Sequence, residues 1–177
     1  MDADTPTFTL RQASAGDADT LAHIGVATFV DSYTTDISGQ AMVAHCTQQH
    51  APAAYAAYLA DDTNRCWIAE YAETGAPVGY AVNCAPDLPV DVQPGDLELK
   101  RIYVLSRFHG AGLGLRLLEA ALGHAREAGA QRLLLGTYEE NHRAMAFYRR
   151  HGFQQIGTRQ FNVGGTIYDD IVMARPV

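Results

Sequence analysis

The sequence predicts an α+β fold with a mixed, mostly antiparallel central sheet flanked by helices. Three observations carry this. Strand-like runs outnumber helical ones, one stretch reads strand, glycine loop, helix, strand, and the chain closes on two strand runs around Val163-Gly164-Gly165. A length of 177 residues, 47% hydrophobic and 19% charged, suits one domain over residues 1–177.

Phe8 to Arg11 alternates like a short strand, and Ser14-Ala15-Gly16-Asp17 supplies cap-type residues before a helix running to about Tyr33, where Leu21, Ile24, Gly25 and Thr28 recur at steps of three and four. Ser38 to His50 and Pro52 to Ala60 are alanine-rich and predict one or two further helices, with Pro52 allowed in a first turn. Residues 67–71 and 78–82 predict an antiparallel hairpin, and 85–95, with its prolines and acids, a loop. Residues 97–104 read as a strand. From Gly112 to Ala128 the residues Leu113, Leu117, Leu118, Ala121 and Leu122 share one helix face, and Gly129 stands where a terminating glycine belongs. Residues 132–138 form an apolar strand run, Asn141 opens a short helix closed near Gly152, and 153–161 with 166–174 predict a final hairpin. Only the connection from 97–104 to 132–138 needs a right-handed crossover.

Composition removes several classes of function. Thirteen Lys and Arg against 20 Asp and Glu give a net charge of −7, the wrong sign for holding a phosphate backbone, so no nucleic-acid partner is expected. Cys46, Cys66 and Cys84 are too widely spaced for a compact metal motif and odd in number for a disulfide framework. Met1 to Leu10 has no apolar run, and no stretch approaches the roughly 20 apolar residues of a membrane span. A cytoplasmic protein without a membrane partner is the expectation.

Glycines at 110, 112 and 114, between a strand and a helix, let backbone N–H groups converge at a helix N-terminus, which suits a phosphate ligand, although glycine can equally serve a tight turn. No Lys-Ser or Lys-Thr follows the last glycine, which excludes a Walker-type loop, and the G-x-G-x-x-G spacing fails because Leu115 stands where the third glycine would.

The segment Leu99 to Gly114 resembles the signature of the GCN5-related N-acetyltransferase superfamily, with core [Q/R]-x-x-G-x-[G/A] five residues after the last strand valine. Counting from Val104 places His109, Gly112 and Gly114 in register. A second register, Arg107, Gly110 and Gly112, also satisfies the letters but starts only three residues after the valine. The preferred register puts His109 where Gln or Arg is usual. A separate stretch, Asn141-x-x-Ala144-x-x-Phe147-Tyr148-x-x-x-Gly152-Phe153, resembles the family's downstream motif. Together the two cover about residues 97 to 153.

The resemblance implies the acetyltransferase fold, acetyl-CoA as cosubstrate and an amine acceptor. Ile102, Tyr103 and Val104 would lend main-chain hydrogen bonds to the pantetheine arm. His109, Gly110, Ala111, Gly112, Leu113 and Gly114 would take the pyrophosphate. Asn141 would bond the pantetheine or serve as an N-cap, and Arg150 would meet the adenosine 3′-phosphate or stand free in solvent. Tyr148 is the expected general acid, since a phenol of pKa about 10 can protonate a departing thiolate. Glu98 resembles in position a carboxylate that serves as base, though its alternation with Leu97 and Leu99 also fits a solvated acid; Asp96, Tyr33 and Glu139 are the other candidates. The resemblance also implies that a backbone N–H at Val104 stabilises the oxyanion.

No metal is expected, because Cys46 with His45 and His50 would lie on different helix faces. Asp31, Asp36, Asp61 and Asp62 suit a small cationic acceptor such as a polyamine, or are merely solvated. An acyl-CoA sensor with little turnover and a peptide N-terminal acetyltransferase are the alternatives. The final hairpin offers an edge for a homodimer.

Overall fold

The computed structural model describes residues 6–177, so part of the N-terminal stretch read above as lacking a leader, residues 1–5, lies outside it. Strand β1 (Phe8–Gln12) leads through a turn of 3-10 helix into α1 (Ala18–Tyr33), α2 (Gly39–Gln49) and α3 (Pro52–Ala60). The two alanine-rich stretches are separate helices, because His50 ends α2 outside helical geometry and Pro52 opens α3, where its missing N–H costs nothing. Strands β2 (Arg65–Tyr71), β3 (Pro77–Cys84) and β4 (Leu97–Val104) follow, then α4 (Leu113–Glu127), β5 (Arg132–Tyr138), α5 (His142–Arg150), β6 (Gln154–Val163) and β7 (Thr166–Pro176).

The strands form one seven-stranded sheet in the order β1-β2-β3-β4-β5-β7-β6. Every neighbouring pair is antiparallel except β4 with β5, which bears out the mixed, mostly antiparallel expectation. The final hairpin folds back so that β7 pairs along β5 and leaves β6 at the edge.

Each sheet face has its own core. On one, the apolar stripe of α4 (Leu113, Leu117, Leu118, Ala121) packs on Leu99, Leu133 and Leu135, with Tyr148 and Phe153 closing the end. Each buried leucine contributes on the order of 1.5–3 kcal/mol. Asn83 ties α4 to β3 by donating from Nδ2 to the Ala121 carbonyl at 2.9 Å. On the other face Leu21 and Ile24 of α1 and Tyr55 of α3 pack on Ile68, Tyr80 and Val82. A third cluster joins Phe29 of α1 and Met42 of α2 to Val163 at the turn between β6 and β7. Cys46, Cys66 and Cys84 are buried and unpaired, and burial pushes the thiols of Cys66 and Cys84 up to about 12, so they behave as small hydrophobes.

Two irregularities position the site. Strand β4 pairs with β5 only at Leu97 with Leu133 and Glu98 with Leu134, after which the strands part. Strand β4 is also bulged: Val82 faces Arg101 and Asn83 faces Leu99, so Lys100 has no partner on β3. The bulge shifts the alternation by one, so Leu97 and Leu99 before it and Ile102 and Val104 after it all pack toward α4. Arg101 and Tyr103 turn to the face carrying α1 and α3.

Candidate active site

Parting β4 from β5 opens a cavity of about 1190 Å³ through the sheet. That exceeds the roughly 300–1,000 Å³ usual for one small ligand and leaves room for two. At one end lies the glycine loop. After a 3-10 turn at Ser106–Phe108, Gly110 and Gly112 adopt φ of +89° and +78°, a region that L side chains avoid, and α4 begins at Leu113. The conformational demand thus falls on these two glycines. Gly114 has ordinary φ, and a Cβ there would meet only Phe147, at 3.9 Å.

The amides of Gly110, Gly112, Leu113, Gly114 and Leu115 have no acceptor among the described residues. They converge at the positive end of the α4 dipole and form a cradle for an anion. Two residues expected in this cradle serve the loop instead. His109 N–H donates to the Ser106 carbonyl (3.0 Å) and Ala111 N–H to the Phe108 carbonyl (3.3 Å), and Ala111 does not reach the cavity wall. The His109 ring is also engaged: Nε2 bonds the Val104 carbonyl at 2.8 Å and Nδ1 meets the Arg143 guanidinium. A carbonyl only accepts and a guanidinium only donates, so the proton sits on Nε2. In place of a direct ligand, His109 holds the loop against the strand and Arg143 beside it. Asp31 adds a further tether, accepting from Ser106 N–H (2.6 Å) and Oγ–H (2.9 Å).

Along β4, Leu105 N–H donates to Val78 on β3 at 2.9 Å. Antiparallel alternation then aims the main-chain groups of Tyr103 at β3 and those of Ile102 and Val104 away from it, where β5 has departed. Of the three residues expected to offer main chain, Ile102 therefore offers both groups and Val104 its N–H, its carbonyl already accepting from His109 Nε2. Tyr103 offers its phenol.

Helix α5 supplies the opposite wall. Asn141 caps it, accepting from Ala144 N–H at 3.1 Å through Oδ1, while Nδ2 has no partner among the described residues; Asn141 lines the cavity, so the cap and a ligand contact are compatible. Arg150 is exposed on the same wall, without an ion partner among the described residues. Tyr148 is buried between Phe147 (5.5 Å) and Phe153 (5.8 Å), and its hydroxyl makes no hydrogen bond among the described residues. Burial, with the Tyr103 phenol nearby, raises its pKa well above 10.

Glu98 is not on this wall. It is 1% exposed, accepts from Asp87 N–H at 2.8 Å and lies 3.5 Å from Lys100 Nζ, because the loop before β4 folds over it. That corrects its reading as a base at the site: its carboxylate is spent anchoring the loop. Asp96 is likewise committed, to Arg132 at 2.6 Å, and Glu139 lies off the cavity. Tyr33 does line it, with its hydroxyl 3.3 Å from that of Tyr103. Asp61 and Asp62 lie outside, which leaves Asp31, already bonded to Ser106, and Asp36 of the four acids that suggested a polycation.

Sequence reasoning passed over two groups on the cavity. Asp170 of β7 is 5% exposed and pairs with Arg159 Nη2 at 2.9 Å, and burial raises its pKa despite that partner. Gly136 makes room for the guanidinium, since a Cβ there would lie 2.7 Å from Arg159 Nη2. Arg101 reaches toward α2 and α3. Neither Arg101 nor Asp170 carried a distinctive signal, since β4 also holds Glu98 and Lys100, and β7 also holds Asp169 and Arg175.

Comparison with known proteins follows the same lines. The sequence model of the acetyltransferase (GNAT) family matches residues 29–153. An uncharacterized N-acetyltransferase of Mycobacterium tuberculosis is 32% identical over 159 residues, covering 90% of this chain and 97% of its own length. A spermine/spermidine N(1)-acetyltransferase of Bacillus subtilis is 34% identical over 90 residues, 50% of this chain and 59% of that protein. Among solved structures, the PaiA N-acetyltransferase of Thermoplasma acidophilum, in complex with coenzyme A, superposes with a TM-score of 0.78 over 97% of this chain and 99% of that one, at 15% identity.

Proposed function

The chain belongs to the GNAT acetyltransferase family and is an acetyl-CoA-dependent N-acetyltransferase, and from that premise we propose that it passes the acetyl group directly to a primary amine of a small molecule. The observation that carries this reading is the row of unused amides at Gly110, Gly112, Leu113, Gly114 and Leu115, opening onto the cleft that Tyr148 lines.

The amides of the loop would hold the pyrophosphate, Arg143 and Arg150 would face its phosphates, and Ile102 would bond the pantetheine as a missing strand would. Bound there, acetyl-CoA supplies a thioester, whose transfer to nitrogen releases a thiol. Val104 N–H, aimed into the cleft, suits the negative charge that gathers on the carbonyl oxygen. The Tyr148 hydroxyl, unbonded within the protein, suits proton delivery to the sulfur. An ammonium must lose a proton before it attacks. Asp170 is the carboxylate best placed to receive it, being buried at the cavity with its pKa raised. A sensor with little turnover is disfavoured, because Tyr148 faces the cavity rather than the core alone.

Coenzyme A at millimolar concentration should raise the melting temperature, and amines should release free thiol from acetyl-CoA. No thermal shift would remove the proposed cofactor site.

A further inference from the structure

The cations on the cavity wall divide by whether the protein itself neutralises them. Lys100 lies near Glu98 (3.5 Å) and Asp87 (3.9 Å), and Arg159 is held by Asp170. Arg143 and Arg150 have no carboxylate among the described residues, and they stand where the proposed donor carries phosphates. Arg101 also has none, yet it lies elsewhere. It is three residues before Val104, about 10 Å along the strand at 3.3 Å per residue, and on the opposite sheet face from α4.

The surroundings of Arg101 fix its position without cancelling its charge. The guanidinium stacks on the rings of Tyr55 (5.0 Å) and Tyr58 (5.6 Å), and Nη2 donates to the Gln49 carbonyl at 2.8 Å. His50 lies close, with Nδ1 3.4 Å from Nη1. The Tyr55 hydroxyl spends its one proton on Tyr80 (3.0 Å), so His50 Nδ1–H must be the donor to Tyr55 (2.8 Å), and a protonated Nδ1 cannot accept from Arg101. Of five guanidinium N–H groups, one therefore has a clear acceptor, the Gln49 carbonyl, and the Tyr55 oxygen, which keeps a lone pair, is near enough to take a second. The neighbouring imidazoles are neutral and add no charge of either sign: burial and Arg101 itself hold His45 down at about 4 and His50 at about 3.

From this geometry, and resting on the N-acetyltransferase reading above, we infer that Arg101 binds a carboxylate of the acceptor, so the substrate is a small amino acid-like molecule rather than a bare polyamine. The planar fork of Arg101, held over two aromatic rings on the cavity wall and with N–H groups left unpaired among the described residues, matches a carboxylate in a bidentate pair. Asp170 complements it as the acid facing the amine, and the Tyr103 phenol lies close enough to feel the charge of both.

Matched acceptors test the inference on the unaltered protein. Thiol release from acetyl-CoA is followed with L-lysine against cadaverine, L-methionine against 3-methylthiopropylamine, and L-phenylalanine against phenethylamine. At least one carboxylate-bearing member should exceed its decarboxylated partner tenfold or more in kcat/KM. Arg101→Gln should lower kcat/KM for that substrate about 10- to 100-fold, the range of a lost charged pair, and erase its advantage over the decarboxylated partner, while coenzyme A affinity stays within twofold. Arg101→Lys, which keeps the charge but not the fork, should fall between. Equal or better turnover of the decarboxylated amines, or no turnover of any carboxylate-bearing amine, overturns the inference. Failure to bind coenzyme A, by contrast, sinks the reading beneath it.

Discussion

Replacing Tyr148 with Phe removes one oxygen and leaves the ring between Phe147 and Phe153. Because that hydroxyl has no partner among the described residues, no buried group is orphaned, and the fold should lose less than about 1 kcal/mol. Its chemical role sets a much larger expected effect. General acid catalysis contributes about 10²–10⁴ in rate, and a phenol held above its ordinary pKa is a reluctant donor to a thiolate, which favours the lower end, about 100-fold in kcat. The raised pKa also has a sign: the protonated phenol is the active form, so kcat should show no loss assignable to this group up to about pH 10. Steady-state thiol release measures kcat, and calorimetric titration measures the coenzyme A dissociation constant, which should move less than about twofold if only the proton is lost. Equal losses in affinity and turnover, or unchanged turnover, would refute the assignment.

Gly112→Ala places a Cβ in open space but at φ +78°, a cost of about 1–2 kcal/mol, and should weaken coenzyme A binding by distorting the amide cradle, read by titration. Gly25→Ala is different in kind: its Cβ would lie 2.2 Å from the Tyr55 hydroxyl and 2.5 Å from His50 Nδ1, so a loss of about 1–3 kcal/mol in urea unfolding should accompany weaker acceptor binding with the coenzyme A constant unchanged. Burial keeps His45 and His50 unprotonated down to about 4 and about 3, whereas unfolded imidazoles take up protons near 6.5. The unfolded state therefore binds more protons between about pH 4 and 6.5, and stability should fall as pH drops through that window, by up to about 1.4 kcal/mol per pH unit for each histidine. Denaturant midpoints at pH 7 and pH 5 measure this, and an undiminished slope in the H45Q/H50Q double variant would contradict it.

Local requirements were legible in the sequence and distant ones were not. Gly110 and Gly112 announce a left-handed backbone that few other residues tolerate, and Asn141 announces a helix start, so the loop and the cap could be read residue by residue. The return of β7 to pair with β5 joins segments far apart in the chain, and no local pattern encodes it. Lys100 carries no mark of the bulge that rotates the second half of β4. The alternation of Glu98 with Leu97 and Leu99 did read its side of the strand, but not the loop that brings Asp87 over it. Arg101 and Asp170 each stand beside other charges of their strands, Lys100 and Asp169, and were singled out only once the topology brought both to one cavity.

The cavity draws its walls from different parts of the chain. The loop and α5, between residues 109 and 150, form the end proposed for the acetyl donor, while much of the other end comes from the first two helices and the last two strands. Variation in residues 32–50 or 159–170, beyond the Asp31 tether, can therefore reshape the acceptor chamber while leaving the donor's seat intact. Selection for a new amine and retention of the old acyl carrier are, in this architecture, largely separable demands on the sequence.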